Sequence, residues 1–266
     1  MTARTSHRLQ LPRDTAPEDV LTMITNVRPA ASRREDGALD LGDAALLVPD
    51  TSPRGAGRWT LEVDRDREDP APEGGDDLRG YGRAFPGGLP FGAEREALDL
   101  LWSLARRLHG AVVTDGGVRL EPHPFHVRDL TVVSPHALAP ESLAQLIAPL
   151  EPEAELDEVP DGASATGYSV TIPVGEGEEI ALRVGRSSAP TALARLGWID
   201  GAVDYAIVHL PADPDEEETE LPDAATGERW MAAYRRIGLL AGLLVESVGG
   251  YVVDLEGFLV DPADLA

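Results

Sequence analysis

The feature that most constrains this chain is internal self-similarity. The segment from Gly110 to Pro122 aligns without a gap on the segment from Gly250 to Pro262, at a constant offset of 140, and keeps the Gly-x-Val-Val start and the terminal Pro. A second pair lies at the front of each half, at an offset of 123. There Leu9 to Glu18 faces Val132 to Glu141, with Pro12, Pro17 and Glu18 matching Pro135, Pro140 and Glu141. A repeat of this period dictates a fold built twice. The expected boundary lies at Pro122, giving a first repeat over 1–122 and an enlarged second one over 123–266, each long enough to bury its own core.

Each half reads as strand, helix, strand, strand, helix, strand. In the first, Pro17 at a helix start with Glu18 and Asp19 behind it, then Val20, Met23, Ile24 and Val27, predicts a helix ended by Pro29. Ala45 to Val48 and Trp59 to Val63 read as strands. The stripe Leu98, Leu101, Ala105 and Leu108 reads as a second helix stopped by Gly110 at its C′ position. Ala111 to Leu120 closes the half as a strand or hairpin. The second half repeats this order with Val127 to Val133, a helix opened by Pro140, an acidic linker over 151–163, a hairpin around Gly175 to Gly177, and a helix over 228–248. Residues 186–212 add a helical turn and an extra strand, Val203 to Leu210. This is the ferredoxin-like βαββαβ order, with antiparallel sheets and helices on one face, so the expected class is α+β, a tandem duplication of that unit.

Composition narrows the chemistry by exclusion. The chain has no cysteine, and all 23 of its basic residues are arginine. Disulfides, thiolate nucleophiles, Schiff bases and a Walker lysine are therefore excluded. The net charge is −24, shared unevenly: 16 arginines face 21 acidic residues in 1–122, and 7 face 26 in 123–266. Such a surface repels phosphate backbones and anionic membranes, so neither nucleic acid nor membrane is an expected partner. No apolar run reaches the ~20 residues of a bilayer span, and Met1 to His7 leads into no apolar signal segment, which gives the cytoplasm as the expected address.

Candidate sites are few. His123 and His126, with His136 beyond, lack any established metal-ligand spacing, and a linker is the better reading. Asp213 to Asp223 lacks the glycine and ligand register of a calcium loop and reads as a solvated acidic loop. No G-x-S-x-G elbow occurs; the nearest run, around Ser247, lies in a helix end. Arg79, Tyr81, Arg83, Phe85 and Phe91 concentrate arginine and aromatics in a glycine-rich loop before a helix. They are read first as a long surface loop whose aromatics fold over the core edge, with a contact surface for a partner as the functional alternative. The helix around Gly238 and Gly242 is apolar nearly all round, and Trp102 aligns with Gly242, so a contact between the repeats is expected there. The functional expectation is a non-catalytic interaction or adaptor protein without cofactor or metal, binding another protein or a second copy of itself. The alternative is a small-molecule sensor with its site between the repeats.

Overall fold

The computed structural model describes residues 4–52, 54–70, 80–157, 166–175, 177–217, 219 and 222–265. It is a mixed helix and strand structure with two antiparallel sheets of seven strands and five α-helices. The chain divides into two compact units, Met1–Pro124 and Phe125–Ala266.

The first unit contains β1 (His7–Gln10), α1 (Pro17–Val27), β2 (Ser32–Arg33), β3 (Leu39–Gly42), β4 (Ala45–Pro49), β5 (Arg58–Glu62), α2 (Tyr81–Ala84), α3 (Gly92–Arg107), β6 (Ala111–Val113) and β7 (Arg119–Leu120). Its strands lie in the order β7-β6-β1-β5-β4-β3-β2. Strand side chains alternate between faces, and the register places His7, Leu9, Trp59, Leu61, Leu47, Val112 and Leu120 together on one side. All are buried. That side is covered by α3, because His7 reaches Glu94 in its first turn. Arg8, Gln10, Arg58, Thr60 and Arg119 occupy the opposite face. Leu98, Leu101 and Ala105 of α3 are buried, as their spacing requires.

The second unit contains β8 (Leu130–Ser134), α4 (Pro140–Ile147), β9 (Glu155–Leu156), β10 (Tyr168–Gly175), β11 (Glu178–Arg186), β12 (Val203–Leu210), α5 (Ala224–Val248), β13 (Tyr251–Asp254) and β14 (Leu259–Val260). Its strand order is β14-β13-β8-β12-β11-β10-β9. Counted within each unit, both sheets run 7-6-1-5-4-3-2. The registers match as well: Leu9 pairs with Val112 and Val112 with Leu120, while Val132 pairs with Val252 and Val252 with Val260. The core of this unit joins Val132, Tyr205, Ile207 and Val252 to Ile237, Leu240 and Leu244 of α5. A smaller cluster on the other sheet face gathers Val133, Leu193, Ile199, Ala202 and Val253.

Several expectations are corrected here. Each sheet has seven strands where the sequence pattern shows four in the first half and five in the second: β2 and β9, of two residues each, are too short to display alternation, β3 adds a further strand, and each closing segment forms two strands. The strand over 203–210 is not an appendage. It lies beside β8, the place β5 holds beside β1, and β10 lies farther out. Helix α5 starts four residues earlier than its apolar pattern, since the Asp223 carboxylate accepts the Thr226 N–H at 2.8 Å and caps it. The end of α3 also differs. His109, not Gly110, takes the left-handed conformation (φ 51°), and the Gly110 N–H bonds back to the Ala105 carbonyl at 2.7 Å. Gly110 is required for another reason: a Cβ there would stand 2.4 Å from the Gln10 carbonyl oxygen. Gly250 stands in the same relation to Val133, at 2.1 Å from its carbonyl oxygen. Among the described residues no helix is long and apolar enough to cross a membrane.

Candidate functional site

The glycine-rich loop before α3 is held from below and presented above. Arg79 lies outside the described residues. Gly80 adopts the left-handed conformation (φ 70°) and starts α2, on which Tyr81 and Phe85 lie one turn apart. Both rings are buried, 4% and 3% exposed. They meet edge to face at 5.7 Å, and Tyr81 packs edge-on against Trp102 at 6.2 Å. The Tyr81 hydroxyl donates to the Asp99 carboxylate at 3.1 Å. These two aromatics therefore fold into the core edge, as the first reading expects. The other two project: Arg83 is exposed, and Phe91, the N-cap of α3, is 55% exposed.

Residues 66–69 run alongside this loop and fasten it. The Glu68 N–H donates to the Leu89 carbonyl at 3.0 Å and the Phe91 N–H to the Asp66 carbonyl at 3.1 Å. Gly88 leaves no room for a side chain, because a Cβ would stand 2.6 Å from the Glu68 carbonyl oxygen. The Arg67 guanidinium lies 4.2 Å over the Phe85 ring, a cation–π contact, and continues inward to a buried acid.

That acid is Glu94, fully buried beside fully buried His7. Its carboxylate accepts from His7 Nε2 at 2.8 Å, from the Asp66 N–H at 2.9 Å, and from Arg67 through Nε at 2.9 Å and Nη2 at 2.5 Å. The Asp115 N–H donates to His7 Nδ1 at 3.0 Å, which fixes the tautomer with the ring hydrogen on Nε2. Burial pushes the Glu94 carboxyl up, but the bonds from His7, the Asp66 amide and Arg67 outweigh it and hold the acid below its usual range. His7, Glu94 and Asp115 also bring three potential metal-ligand atoms within 4.8 Å of one another, the single such group among the described residues. They do not fit a metal. Arg67 Nη2 bridges Glu94 and Asp115, at 2.5 and 3.3 Å, so a guanidinium stands where a cation would.

The second unit holds an analogous network built from other positions. Arg128 donates through Nε to His209 Nδ1 at 2.7 Å, His209 Nε2 faces Glu178 at 3.3 Å, and Arg229 donates to Glu178 at 2.9 Å. Burial first, and the charge of Arg128 second, push the His209 pKa down and favour its neutral form. Arg229 also binds Glu216 of the acidic loop, and the Trp230 indole N–H reaches the same carboxylate at 3.4 Å. Glu216 thus serves packing, while Glu218 and Glu220 of that loop lie outside the described residues.

The remaining sequence candidates are placed as follows. His126 donates through Nδ1 to the Thr219 carbonyl (3.1 Å) and sits edge-on to Trp230, while His136 is exposed. With His123 they form no metal-ligand group among the described residues. Trp102 is buried in its own unit. Gly238 is closed by Leu265, whose carbonyl oxygen lies 3.0 Å from where a Cβ would stand, and no heavy atom lies within 4 Å of that place at Gly242. Leu239 on the same helix is 53% exposed. His7 and His209 escaped sequence reasoning because each stands alone in an alternating strand, with its partner 87 or 31 residues away.

Comparisons of the chain with family models, with curated proteins and with solved structures found no match.

Proposed function

We propose that this chain is a non-catalytic interaction protein of the cytoplasm whose contact surface includes the loop 80–92, and whose partner is another protein or a second copy of the chain. One observation carries the reading. Two aromatics of the loop, Tyr81 and Phe85, are spent as buried anchors, while Phe91 stays 55% exposed beside a rigid helix start. An exposed aromatic on a pre-organised backbone loses little entropy on binding, which is the usual character of an interface anchor. The clustered acid–base groups support the same reading. Each buried His–Glu pair is closed by an arginine, which suits a structural role better than proton transfer.

The architecture is proposed to be a duplication of an extended ferredoxin-like unit. Support comes from the shared strand order and from registers that agree at both sequence offsets. Within each sheet, strands 6-1-5-4 follow the split β-α-β pattern, flanked by added edge strands.

The test is capture of partners by the tagged full-length chain in its native host, comparing the parent with Phe91→Ser and Arg83→Glu together. Serine is a favoured N-cap, so α3 is not weakened. A stoichiometric protein held by the parent and lost by the variant, with melting unchanged, supports the proposal. An identical set of captured proteins, or no stoichiometric one, refutes it.

A further inference from the structure

A cleft of about 590 Å³ opens at the C-terminal end of β1, lined by Gln10 to Arg13, Arg54, Ala56, Arg58, His109, Gly110 and Arg119. Its walls are fixed by backbone contact. The Leu11 N–H donates to the Gly57 carbonyl at 2.7 Å. Gly57 (φ 76°) approaches so closely that a Cβ would stand 2.4 Å from the Leu11 carbonyl oxygen, and Gly110 presses on Gln10 from the other side in the same way. Three segments distant in sequence are thereby held together, and each contributes cationic or imidazole side chains.

The charge in this cleft is unusual for the chain. Four of its ten lining residues are arginine and none is acidic, on a protein of net charge −24. Most other arginines described in this unit are paired: Arg4 with Glu62, Arg33 with Glu18, Arg67 with Glu94 and Arg95 with Asp99. Among the described residues, Arg13 and Arg54 have no carboxylate within ion-pair reach. Arg58 lies near Asp50, whose carboxylate accepts from the Ser52 N–H. Arg119 is itself ion-paired, with Glu121 at 2.5 Å, and donates to Gln10 at 2.6 Å. His109 meets the cleft from a left-handed conformation (φ 51°), where glycine would be less strained.

The fold does not need these cations. In the second unit the register positions of Gln10, Arg58 and Arg119 are held by Val133, Asp204 and Leu259. There Val133 joins an apolar cluster under residues 193–202. At these register positions one unit carries two apolar side chains and a carboxylate, and the other a glutamine and two arginines.

We propose that this cleft is a binding site for a compact polyanion of the phosphate class, a ligand role that goes beyond the loop-mediated contact and does not depend on it. Guanidinium forks match phosphate oxygens two at a time, so converging arginines favour a small, multiply charged oxyanion. The cleft volume is within the range of sites that enclose a small ligand. A long polyanion is disfavoured, because the acidic remainder of the surface repels everything that extends beyond the cleft.

The experiment is calorimetric titration of the full chain at low ionic strength with inorganic phosphate, pyrophosphate, citrate and duplex DNA. The parent is compared with Arg13→Ala/Arg54→Ala and with Arg195→Ala/Arg235→Ala, which removes equal charge from exposed positions elsewhere. Pyrophosphate is expected to bind one to one and more tightly than phosphate or citrate. The cleft variant should lose at least about tenfold in affinity with its unliganded melting unchanged, and the control should bind like the parent. No saturable binding, equal loss in the control, citrate matching pyrophosphate, or tighter binding of duplex DNA would each overturn the proposal.

Discussion

Arg67→Ala is the most informative single change, because one side chain joins the contact loop to the buried core. Arg67 gives Glu94 two charge-assisted bonds, at 2.9 and 2.5 Å, and Glu94 is fully buried. Removing one partner of a buried ion pair leaves an uncompensated charge and costs about 3–5 kcal/mol. For a unit of this size that is a fall of roughly 10–20 °C in melting temperature. Glu94 retains His7 and the Asp66 amide, which places the expectation toward the lower half of the range. The sign with pH follows from the same atoms. In the parent, the lowered Glu94 pKa contributes stability present at neutral pH and lost as pH falls through that lowered value, below the ordinary 4.5. In Arg67→Ala burial is less opposed and the carboxyl moves upward, so the stability gap between parent and variant narrows as the solution is acidified. Urea unfolding followed by hydrogen exchange of the β1 amides measures the first unit by itself. Glu94→Gln in the Arg67→Ala background removes the stranded charge and should recover at least about 1.5 kcal/mol in a double-mutant cycle. A single-variant loss under about 1 kcal/mol, or a cycle with no coupling, would show that the network does not hold the loop in place.

Three other outcomes follow from separate contacts. Gly110→Ala and Gly250→Ala each force a Cβ into a carbonyl oxygen of the first strand of their unit and should cost about 2 kcal/mol or more by thermal denaturation. Gly242→Ala has open space in the middle of α5 and should be neutral or stabilising by up to about 1 kcal/mol; a loss there would mean that the helix face is covered. His209 has a lowered pKa in the folded state, so stability is present above its ordinary value of 6.5 and declines as pH falls below it. His209→Gln should flatten that slope in urea midpoints measured between pH 7 and 5. An unchanged slope would assign the acid sensitivity to other groups.

The sequence alone determined what is local or repeated. Proline at the first turn and the following 3.6-residue apolar period fix the starts of α1 and α4, since a helix start depends on its own backbone and neighbours, whereas α4 ends at Ile147, short of the Leu150 that its apolar pattern includes. The Gly110 and Gly250 alignments located the closing hairpin of each sheet, because a backbone approach that only glycine permits leaves a fixed mark in sequence. Short strands were not legible: two residues such as Ser32 and Arg33 carry no period, and pairing with β3 alone makes them a strand. Nor was the place of the strand at 203–210, which depends on which neighbour accepts its hydrogen bonds rather than on its own alternation. The fates of Tyr81, Phe85 and Phe91 were likewise undecided, as all three are aromatics in a polar loop. Tertiary packing buried the first two against Trp102 and His7 and left the third exposed. The two histidine networks and the basic cleft also exist only in the folded chain. They join segments as far as 109 residues apart, and charge and hydrogen-bond complementarity over such separations has no period that a sequence can display.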